Sequence, residues 1–118
     1  MKRGDVWIVA GGPDYAGKPR PAVIIQDDAF DATRSVTICP FTTSSADAPL
    51  VRLSVEPSDH NGLRTSSQLM VDKITTVSKA KLETRVGRLS DEEMVRLNRA
   101  AIVFLGLAGP ATRQRGPG

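Results

Sequence analysis

The chain of 118 residues contains one cysteine, one histidine and few aromatic residues, which make up 4% of the sequence. A single cysteine excludes an intramolecular disulfide and a cysteine-rich zinc site. A single histidine excludes catalysis by a pair of histidines within one chain. The scarcity of aromatic rings argues against a module that binds single-stranded nucleic acid by stacking bases on side chains. The sequence carries no motif for a metal or a cofactor, and neither is predicted.

Long apolar runs are also missing from the sequence. None approaches the roughly 20 residues that a membrane span needs, so no membrane partner is expected. The first residues, Met-Lys-Arg, are followed at once by Gly4 and Asp5 and do not resemble a secretory signal. Without a signal and without disulfides, the predicted location is the cytoplasm.

Apolar residues make up 40% of the chain and charged residues 25%, a composition typical of a globular protein. The length predicts one domain over residues 1–108, followed by a flexible Gly-, Pro- and Arg-rich tail over residues 109–118. The formal net charge is +3. Positive charge is concentrated between Lys73 and Arg88 and again at Lys18 and Arg20. Such clusters are typical either of a solvated face or of a groove that follows phosphates.

Five short runs of apolar and β-branched residues predict β-strands. They cover residues 6–10, 22–26, 35–39, 51–55 and 67–71, and residues 74–77 extend or rejoin the last of them after a bend. A turn is predicted over residues 11–14 and a loop over residues 15–21, because Gly and Pro interrupt strands. Pro40 predicts a strand end, an edge or a bulge, because it has no N–H group.

The clearest helix signal lies near the C-terminus, where Ser90 and Glu93 form a capping box. Gly106 is predicted to end this helix, and Ser78 is predicted to cap a single helical turn. The apolar face of the long helix is predicted from residues at helical spacing: Met94, Leu97, Ala101 and Phe104 or Leu105. Several strands followed by one helix predict a mainly β (α+β) fold, a small antiparallel barrel or sheet with the helix packed on it.

Arg20 lies between Pro19 and Pro21, just before a predicted strand, a position that favours a rigidly held guanidinium. Such an arginine either pairs with a carboxylate or carbonyl or binds an anion, because its fork of N–H groups matches phosphate oxygens. Thr42 and Thr43 follow the third predicted strand. Their hydroxyls either form a turn or help to hold a phosphoryl group.

Three other residues are interpreted as structural. Cys39 lies in an apolar strand and is predicted to be a core thiol. His60 lies in Ser-Asp-His-Asn-Gly, which is typical of a surface turn, with a base or a dimer contact as the alternative. Trp7 is predicted to pack in the core, with stacking on a base as the alternative.

Several loose motifs follow one another between Lys2 and about Leu107. They are residues 2–7, Lys-Pro-Arg-Pro and the strand after it (18–26), Cys-Pro-Phe-Thr-Thr (39–43), Gly62-Leu63, Ser67, Asp-Lys-Ile-Thr-Thr-Val (72–77) and the capped C-terminal helix. In this order and spacing the chain resembles the MazF/PemK family of toxin endoribonucleases.

The resemblance implies an SH3-like barrel that forms a homodimer. It implies metal-independent cleavage of single-stranded RNA, in particular mRNA, at short sequences, by attack of the ribose 2′-hydroxyl on the adjacent phosphate. It also implies a cognate MazE-like antitoxin whose acidic, otherwise disordered tail blocks the site. The family's catalytic arginine falls on Arg20 and its threonine on Thr42.

Arg20 is expected to stabilise the negative charge that develops on the phosphate, and Thr42 to hydrogen-bond the scissile group. The family's acidic-Gln-Ile segment is Asp72-Lys73-Ile74 here, so the family's base contacts do not carry over to Lys73. No general base is identified. The candidate RNA contacts are Lys18, Thr43, Ser66, Ser67 and Lys73.

Two other functions fit a small barrel. One is a non-enzymatic toxin resembling the CcdB gyrase poisons, which act through the end of their C-terminal helix. The other is a barrel that binds single strands without cutting them, and the scarcity of aromatic residues argues against it.

Overall fold

The computed structural model describes residues 1–11 and 18–109, and in these residues seven strands precede one α-helix. The strands are β1 (Asp5–Val9), β2 (Arg20–Ile24), β3 (Ser35–Thr42), β4 (Arg52–Val55), β5 (Ser67–Met70), β6 (Thr75–Ser78) and β7 (Leu82–Arg88), and helix α1 spans Asp91–Phe104. Short 3₁₀ helices cover Asp28–Phe30, Val71–Lys73 and Lys79–Lys81. The predicted mainly β fold with a C-terminal helix is confirmed.

The strands form one antiparallel sheet in the order β4-β5-β3-β2-β1-β7, with β6 paired to β3. Strand β3 has two partners along the same edge. It pairs with β6 as far as Ile38 and with β5 from Phe41 onward. The sheet therefore divides at residues 39–40 of β3, and the two branches lie on either side of this point.

The prediction that the third strand ends at Cys39 is wrong, because β3 continues through Pro40 to Thr42. Pro40 lies opposite Ala22 on β2, at the point where β3 changes partner on its other edge. A residue without an N–H group is tolerated there, because no ladder hydrogen bond to β5 or β6 falls on this residue.

Both faces of the central strands are buried. On β2, Val23 packs into one apolar cluster while Ala22 and Ile24 pack into another. Strand β3 alternates in the same way, with Ile38 in the second cluster and Phe41 in the first. Because successive residues of a strand face opposite sides, these continuous apolar runs are the ones expected of strands covered on both faces.

Helix α1 begins and ends as its sequence predicts. Ser90 accepts a hydrogen bond from the Glu93 N–H and Glu93 bonds back to the Ser90 N–H, which completes the capping box. At the other end Gly106 has φ +74°, and the N–H groups of Gly106 and Leu107 bond to the carbonyls of Val103 and Ile102. This is a Schellman motif, in which a left-handed glycine satisfies the last carbonyls of the helix.

The apolar face of α1 is shorter than predicted. Leu97 is buried, and Met94 and Ala101 pack against the core. Phe104 and Leu105, however, are 46% and 57% exposed. Their predicted place in the core is wrong, because the helix extends beyond the sheet on which its first three turns pack.

Strand β7 was not predicted. Of its seven residues, Leu82 and Val86 are large and apolar, and both are half-buried. The other five are polar, charged or glycine. An edge strand of this kind has a weak hydrophobic pattern, since one side of the sheet faces solvent. Its pairing with β1 makes it part of the sheet.

The turn between β4 and β5 packs its backbone directly on β7. Asn61 is fully buried, and its side chain accepts from the N–H groups of Ser58 and Leu63 and donates to the Glu56 carbonyl. Gly62 follows with φ +70°, and a Cβ built there would lie 2.1 Å from the Val86 carbonyl oxygen. The turn can approach β7 this closely only because residue 62 has no side chain.

Two predictions fall largely outside the described residues. Residues 12–17 of the predicted turn and loop (11–21) are not among the described residues. The same holds for residues 110–118 of the predicted tail. In the part of the chain that the structure describes, no helix is long and apolar enough to span a membrane.

We expect Gly62→Ala to lower the free energy of unfolding by about 3 kcal/mol, because a positive φ and a backbone clash both oppose the added methyl group. Gly106→Ala is the matched control. Its φ is +74° but nothing lies within 4 Å of the added Cβ, so its expected cost is about 1 kcal/mol. Urea denaturation of both variants measures the difference, and equal losses would show that the close approach at Gly62 contributes nothing.

Candidate active site

Arg20 is the first residue of β2 and lies opposite Val9 at the end of β1. The next residue, Pro21, lies opposite Ile8. The rings of Pro19 and Pro21 fix φ on both sides of the arginine, so little backbone freedom remains at this point. The backbone that carries the Arg20 side chain is therefore stiff at this strand end.

Arg20 lines a depression of about 160 Å³, which we call the arginine pocket. Its lining contains two cations, Arg20 and Lys81, and one hydroxyl residue, Thr75, and no carboxylate among the described residues. The other lining residues are apolar: Val9, Ala10, Pro21, Ala22, Ile38, Pro40 and Val77. Two positive charges over an apolar floor suit an anion, because charge-assisted hydrogen bonds strengthen where water is excluded.

Thr42 lies at the end of β3, close to the same region of the sheet. The β2–β3 ladder ends where Ala22 lies opposite Pro40, and Arg20 and Thr42 lie two residues beyond this pair on their own strands. The Thr42 residue is buried, and its hydroxyl oxygen accepts a hydrogen bond from the Ser44 N–H at 3.1 Å. A hydroxyl that accepts in this way keeps its own proton for donation to an incoming acceptor.

Thr43, Ser66 and Ser67 come together in a second place, which we call the serine pocket. This pocket is lined by Thr43, Ser45, Ser54, Glu56, Ser66, Ser67 and Gln68. The Ser66 hydroxyl donates to the Glu56 carboxylate, and the Ser67 hydroxyl donates to the Thr65 carbonyl at 3.0 Å. The protons of Ser66 and Ser67 are therefore already engaged, and these two hydroxyls can serve a ligand as hydrogen-bond acceptors.

A third depression, the central pocket, connects these two regions. It is lined by Ile8, Pro21, Thr43, Gly62, Leu63, Arg64, Thr65, Ser67 and Val86. It shares Pro21 with the arginine pocket and shares Thr43 and Ser67 with the serine pocket. Because Arg20 and Pro21 are successive strand residues, they face opposite sides of the sheet. The arginine pocket and the central pocket therefore adjoin across the sheet edge at Pro21.

The predicted site residues thus fall into separate groups. Arg20 lines the arginine pocket, whereas Thr43, Ser66 and Ser67 line the central and serine pockets. Thr42 is buried, Lys18 and Lys73 are exposed, and these three residues line none of the three depressions.

The basic segment between Lys73 and Arg88 does not form one continuous patch. Arg85 and Arg88 both pair with the buried carboxylate of Asp5, at 3.3 and 3.5 Å. Lys79 pairs with the Asp31 carboxylate at 3.5 Å and also donates to the backbone carbonyl of Asp31. Three of the five cations thus have structural partners, and among the remaining two only Lys81 lines the arginine pocket.

Asp72 is held by a bidentate ion pair with Arg52, at 2.8 and 3.1 Å. The hydrogen bonds from Arg52 lower the pKa of the Asp72 carboxyl, and the nearby charge of Lys73 acts in the same direction. The same pair raises the pKa of Arg52. The interaction fastens the 3₁₀ helix Val71–Lys73 to β4, and this helix leads directly into Thr75 of the arginine pocket.

The other candidate residues have structural roles. Cys39 is fully buried, and burial raises the pKa of its thiol to about 12, so it remains protonated. His60 is exposed in a turn, as predicted, and its carbonyl accepts from the Arg88 N–H. Trp7 packs against the second core cluster. The residues that sequence reasoning missed are Thr75, Lys81 and Glu56, since nothing in the sequence separates them from neighbouring polar residues.

Comparison with known protein families matches residues 2–105 to the PemK-like, MazF-like toxins of type II toxin–antitoxin systems. The chain belongs to this family. The match covers every described strand and the whole of α1. It confirms the family that the ordered sequence motifs predict.

Similar proteins carry the same family name. The probable endoribonuclease MazF of Mycolicibacterium smegmatis is 58% identical over 109 residues, which are 92% of this chain and 100% of that protein. The endoribonuclease MazF9 of Mycobacterium tuberculosis is 26% identical over 116 residues, 91% of this chain and 98% of that protein. These names support the predicted endoribonuclease class.

Solved structures agree with the fold. An endoribonuclease from Mycobacterial species in complex with its cognate antitoxin superposes with a TM-score of 0.75 at 26% identity, covering 91% of this chain and 96% of that one. The Mycobacterium tuberculosis toxin MazF-mt6 superposes with a TM-score of 0.73 at 23% identity, covering 87% and 97%, and shows the shared fold.

The Arg52–Asp72 pair predicts a pH-dependent contribution to stability. Because the pKa of Asp72 is lowered in the folded state, the stabilisation is fully present above the unfolded carboxyl pKa of about 3.9 and is lost as the pH falls through the folded pKa. Arg52→Met is expected to lower the free energy of unfolding by about 1 kcal/mol or less at pH 7, since Asp72 stays 30% exposed. Below about pH 4 this difference should shrink.

Urea denaturation at a series of pH values measures this effect. Arg34→Met, at an exposed position before β3, is the control and should show no such pH dependence. A loss for Arg52→Met that is as large at pH 2 as at pH 7 would contradict the assignment.

Proposed function

We propose that this protein is a sequence-selective, metal-independent endoribonuclease that cleaves single-stranded RNA, with mRNA as its principal substrate. The ribose 2′-oxygen attacks the adjacent phosphorus and the bond to the 5′-oxygen breaks. The products are a 2′,3′-cyclic phosphate and a 5′-hydroxyl end. The 2′-hydroxyl loses its proton to a base that remains unassigned, and the leaving 5′-oxygen gains one.

Arg20 is the residue on which the proposal chiefly depends. It is mounted between two prolines at a strand end and lines a pocket that has cations and no carboxylate among its described residues. In-line attack on a phosphodiester builds negative charge on the non-bridging oxygens. A preorganised guanidinium stabilises this charge with two parallel hydrogen bonds.

Thr42 supplies a neutral donor to the same phosphate. Its hydroxyl accepts from the Ser44 N–H, which orients the oxygen and leaves its proton available. Arg20 and Thr42 lie two residues beyond the last β2–β3 pair, at the same end of that ladder, and this supports a shared target for the two side chains.

Base contacts are proposed on the far side of the sheet edge, in the central and serine pockets. Thr43 and Ser67 line both pockets, and Ser66 lines the serine pocket beside Glu56. The Glu56 carboxylate is an acceptor for exocyclic amino groups of bases. Lys18 and Lys73, both exposed, are proposed to contact the backbone of the RNA outside these pockets.

We further propose that the protein acts in the cytoplasm as a homodimer and is neutralised by a cognate antitoxin with an acidic, disordered tail. The solved relative in complex with its cognate antitoxin supports the last point. The apolar side chains at the end of α1 support the dimer, because between 43% and 67% of each is exposed to water. They are Ile102, Val103, Phe104, Leu105 and Leu107.

The comparisons do not favour a gyrase-binding toxin resembling CcdB. A barrel that binds single strands without cutting them is distinguished from the proposed endoribonuclease by a cleavage assay, since it would leave the RNA intact.

Purified protein should cleave an unstructured RNA in the presence of EDTA, and Arg20→Ala should reduce the rate by a factor of about 100 or more. Gel analysis of the products measures cleavage, and sequencing of their ends gives the recognised sequence. Arg34→Ala, an exposed arginine outside the three depressions, is the matched control and should cleave at the wild-type rate. Full activity in folded Arg20→Ala would overturn the assignment of the site.

The dimer is tested by light scattering in solution. The wild type is expected at twice the chain mass, and the double variant Val103→Asp/Leu105→Asp at a single chain mass, because charges would replace apolar contacts. Phe30→Asp is the control, since Phe30 is 64% exposed and lies far from α1 in the sequence. A wild type that is monomeric at high concentration would contradict the proposal.

A further inference from the structure

We propose that Lys81 is a second phosphate-binding residue of the arginine pocket and contacts the RNA backbone together with Arg20. This inference rests on the proposed function and extends it to a residue outside the family motifs that the sequence carries. The ligand is a phosphodiester of single-stranded RNA, either the scissile group or its direct neighbour.

The position of Lys81 follows from the end of β1. Val9 lies between Arg20 on β2 and Leu82 on β7, and the N–H of the next residue, Ala10, donates to the Lys81 carbonyl at 2.8 Å. The two cations therefore stand on either side of one strand. Two strand spacings separate their backbones, a distance of about 10 Å, and both long side chains can span the gap to one anion.

The backbone that carries Lys81 is well defined. Lys81 ends the 3₁₀ helix Lys79–Lys81, which begins at Ser78, where the serine side chain accepts from the Ala80 N–H. The Leu82 N–H closes the turn on the Lys79 carbonyl. A side chain on such a turn is directed more narrowly than one on an open loop.

The partners of the neighbouring cations leave Lys81 as the one suited to a ligand. Lys79, in the same 3₁₀ helix, bonds to Asp31, and Arg85 and Arg88 bond to Asp5. Within residues 1–11 and 18–109, the Lys81 ammonium has no ion pair or hydrogen bond. It lines a pocket whose described residues include a second cation and no acid, and an ammonium in such a place suits a phosphate oxygen.

Lys81 differs from Arg20 in what it contributes. An ammonium is a compact charge without a fixed fork, so it neutralises the phosphate without imposing one geometry. Thr75, which lines the same pocket and lies opposite Ile38, adds a hydroxyl to that pocket.

The test compares Lys81→Ala with Lys79→Ala, a control in the same 3₁₀ helix whose side chain pairs with Asp31 instead of lining the pocket. The probes are a single-stranded RNA that the wild type cleaves and the same oligonucleotide with a 2′-deoxy nucleotide at the cut. Cleavage rates are measured on the first and binding over a range of salt concentrations on the second. Thermal unfolding shows that both variants are folded.

Lys81→Ala is expected to lower the cleavage rate and the affinity by a factor of roughly 10 to 100, and Lys81→Arg to restore most of both. The slope of log affinity against log salt should fall by about 0.7, the value for one phosphate contact on a single strand. Lys79→Ala should leave all three quantities near wild type.

Unchanged affinity and salt slope in folded Lys81→Ala would overturn the inference. If the proposed function itself is wrong, the result is different, because the wild type would then bind single-stranded RNA without cutting it. In that case binding is measured on RNA of mixed sequence, and the salt dependence of binding still decides whether Lys81 contacts a phosphate.

Discussion

The architecture depends on one strand, β3, which pairs with β2 on one edge and with both β6 and β5 on the other. Its change of partner at residues 39–40 opens the sheet into two branches. Ile38 and Pro40 form part of the floor of the arginine pocket, and Thr75 enters that pocket from β6. Thr42 ends β3 opposite Gln68 of β5. A slip of β3 by one residue would exchange its side chains between the two apolar clusters and spoil the packing of both, so these positions are held firmly.

Acidic side chains pair with several of the basic side chains in this molecule and so decide which cations are available to a ligand. Asp5 is only 4% exposed and is paired by Arg85 and Arg88, so those two arginines fasten β7 to β1. Among the described residues this pairing and that of Lys79 with Asp31 leave Lys73 and Lys81 as the cations of the basic segment without an ion pair. Of these two, Lys81 lines the arginine pocket, so the count of basic residues in the segment overstates the charge available to a ligand.

How far the sequence predicts this structure depends on the kind of signal that each element carries. The capping box at Ser90, the glycine at 106 and the apolar runs of β1 to β3 are local patterns, and all of them appear in the structure. Strand β7 carries a weak pattern because it lies at the sheet edge. The family resemblance led to Arg20 and Thr42, yet it could not place Lys81 in the same pocket as Arg20, because that placement depends on long-range pairing through Val9 and Ala10.

The division of the site across a sheet edge bears on the substrate. The arginine pocket lies on one side of Pro21 and the central and serine pockets lie on the other. A flexible single strand can bend around this edge, placing a phosphate at Arg20 and neighbouring bases against Thr43 and Ser67. A duplex cannot follow the same path, because double-stranded nucleic acid is stiff over many base pairs, with a persistence length of about 150 bp for DNA. The preference for single-stranded RNA in the proposed function is therefore a consequence of where the strand ends place the two groups of side chains.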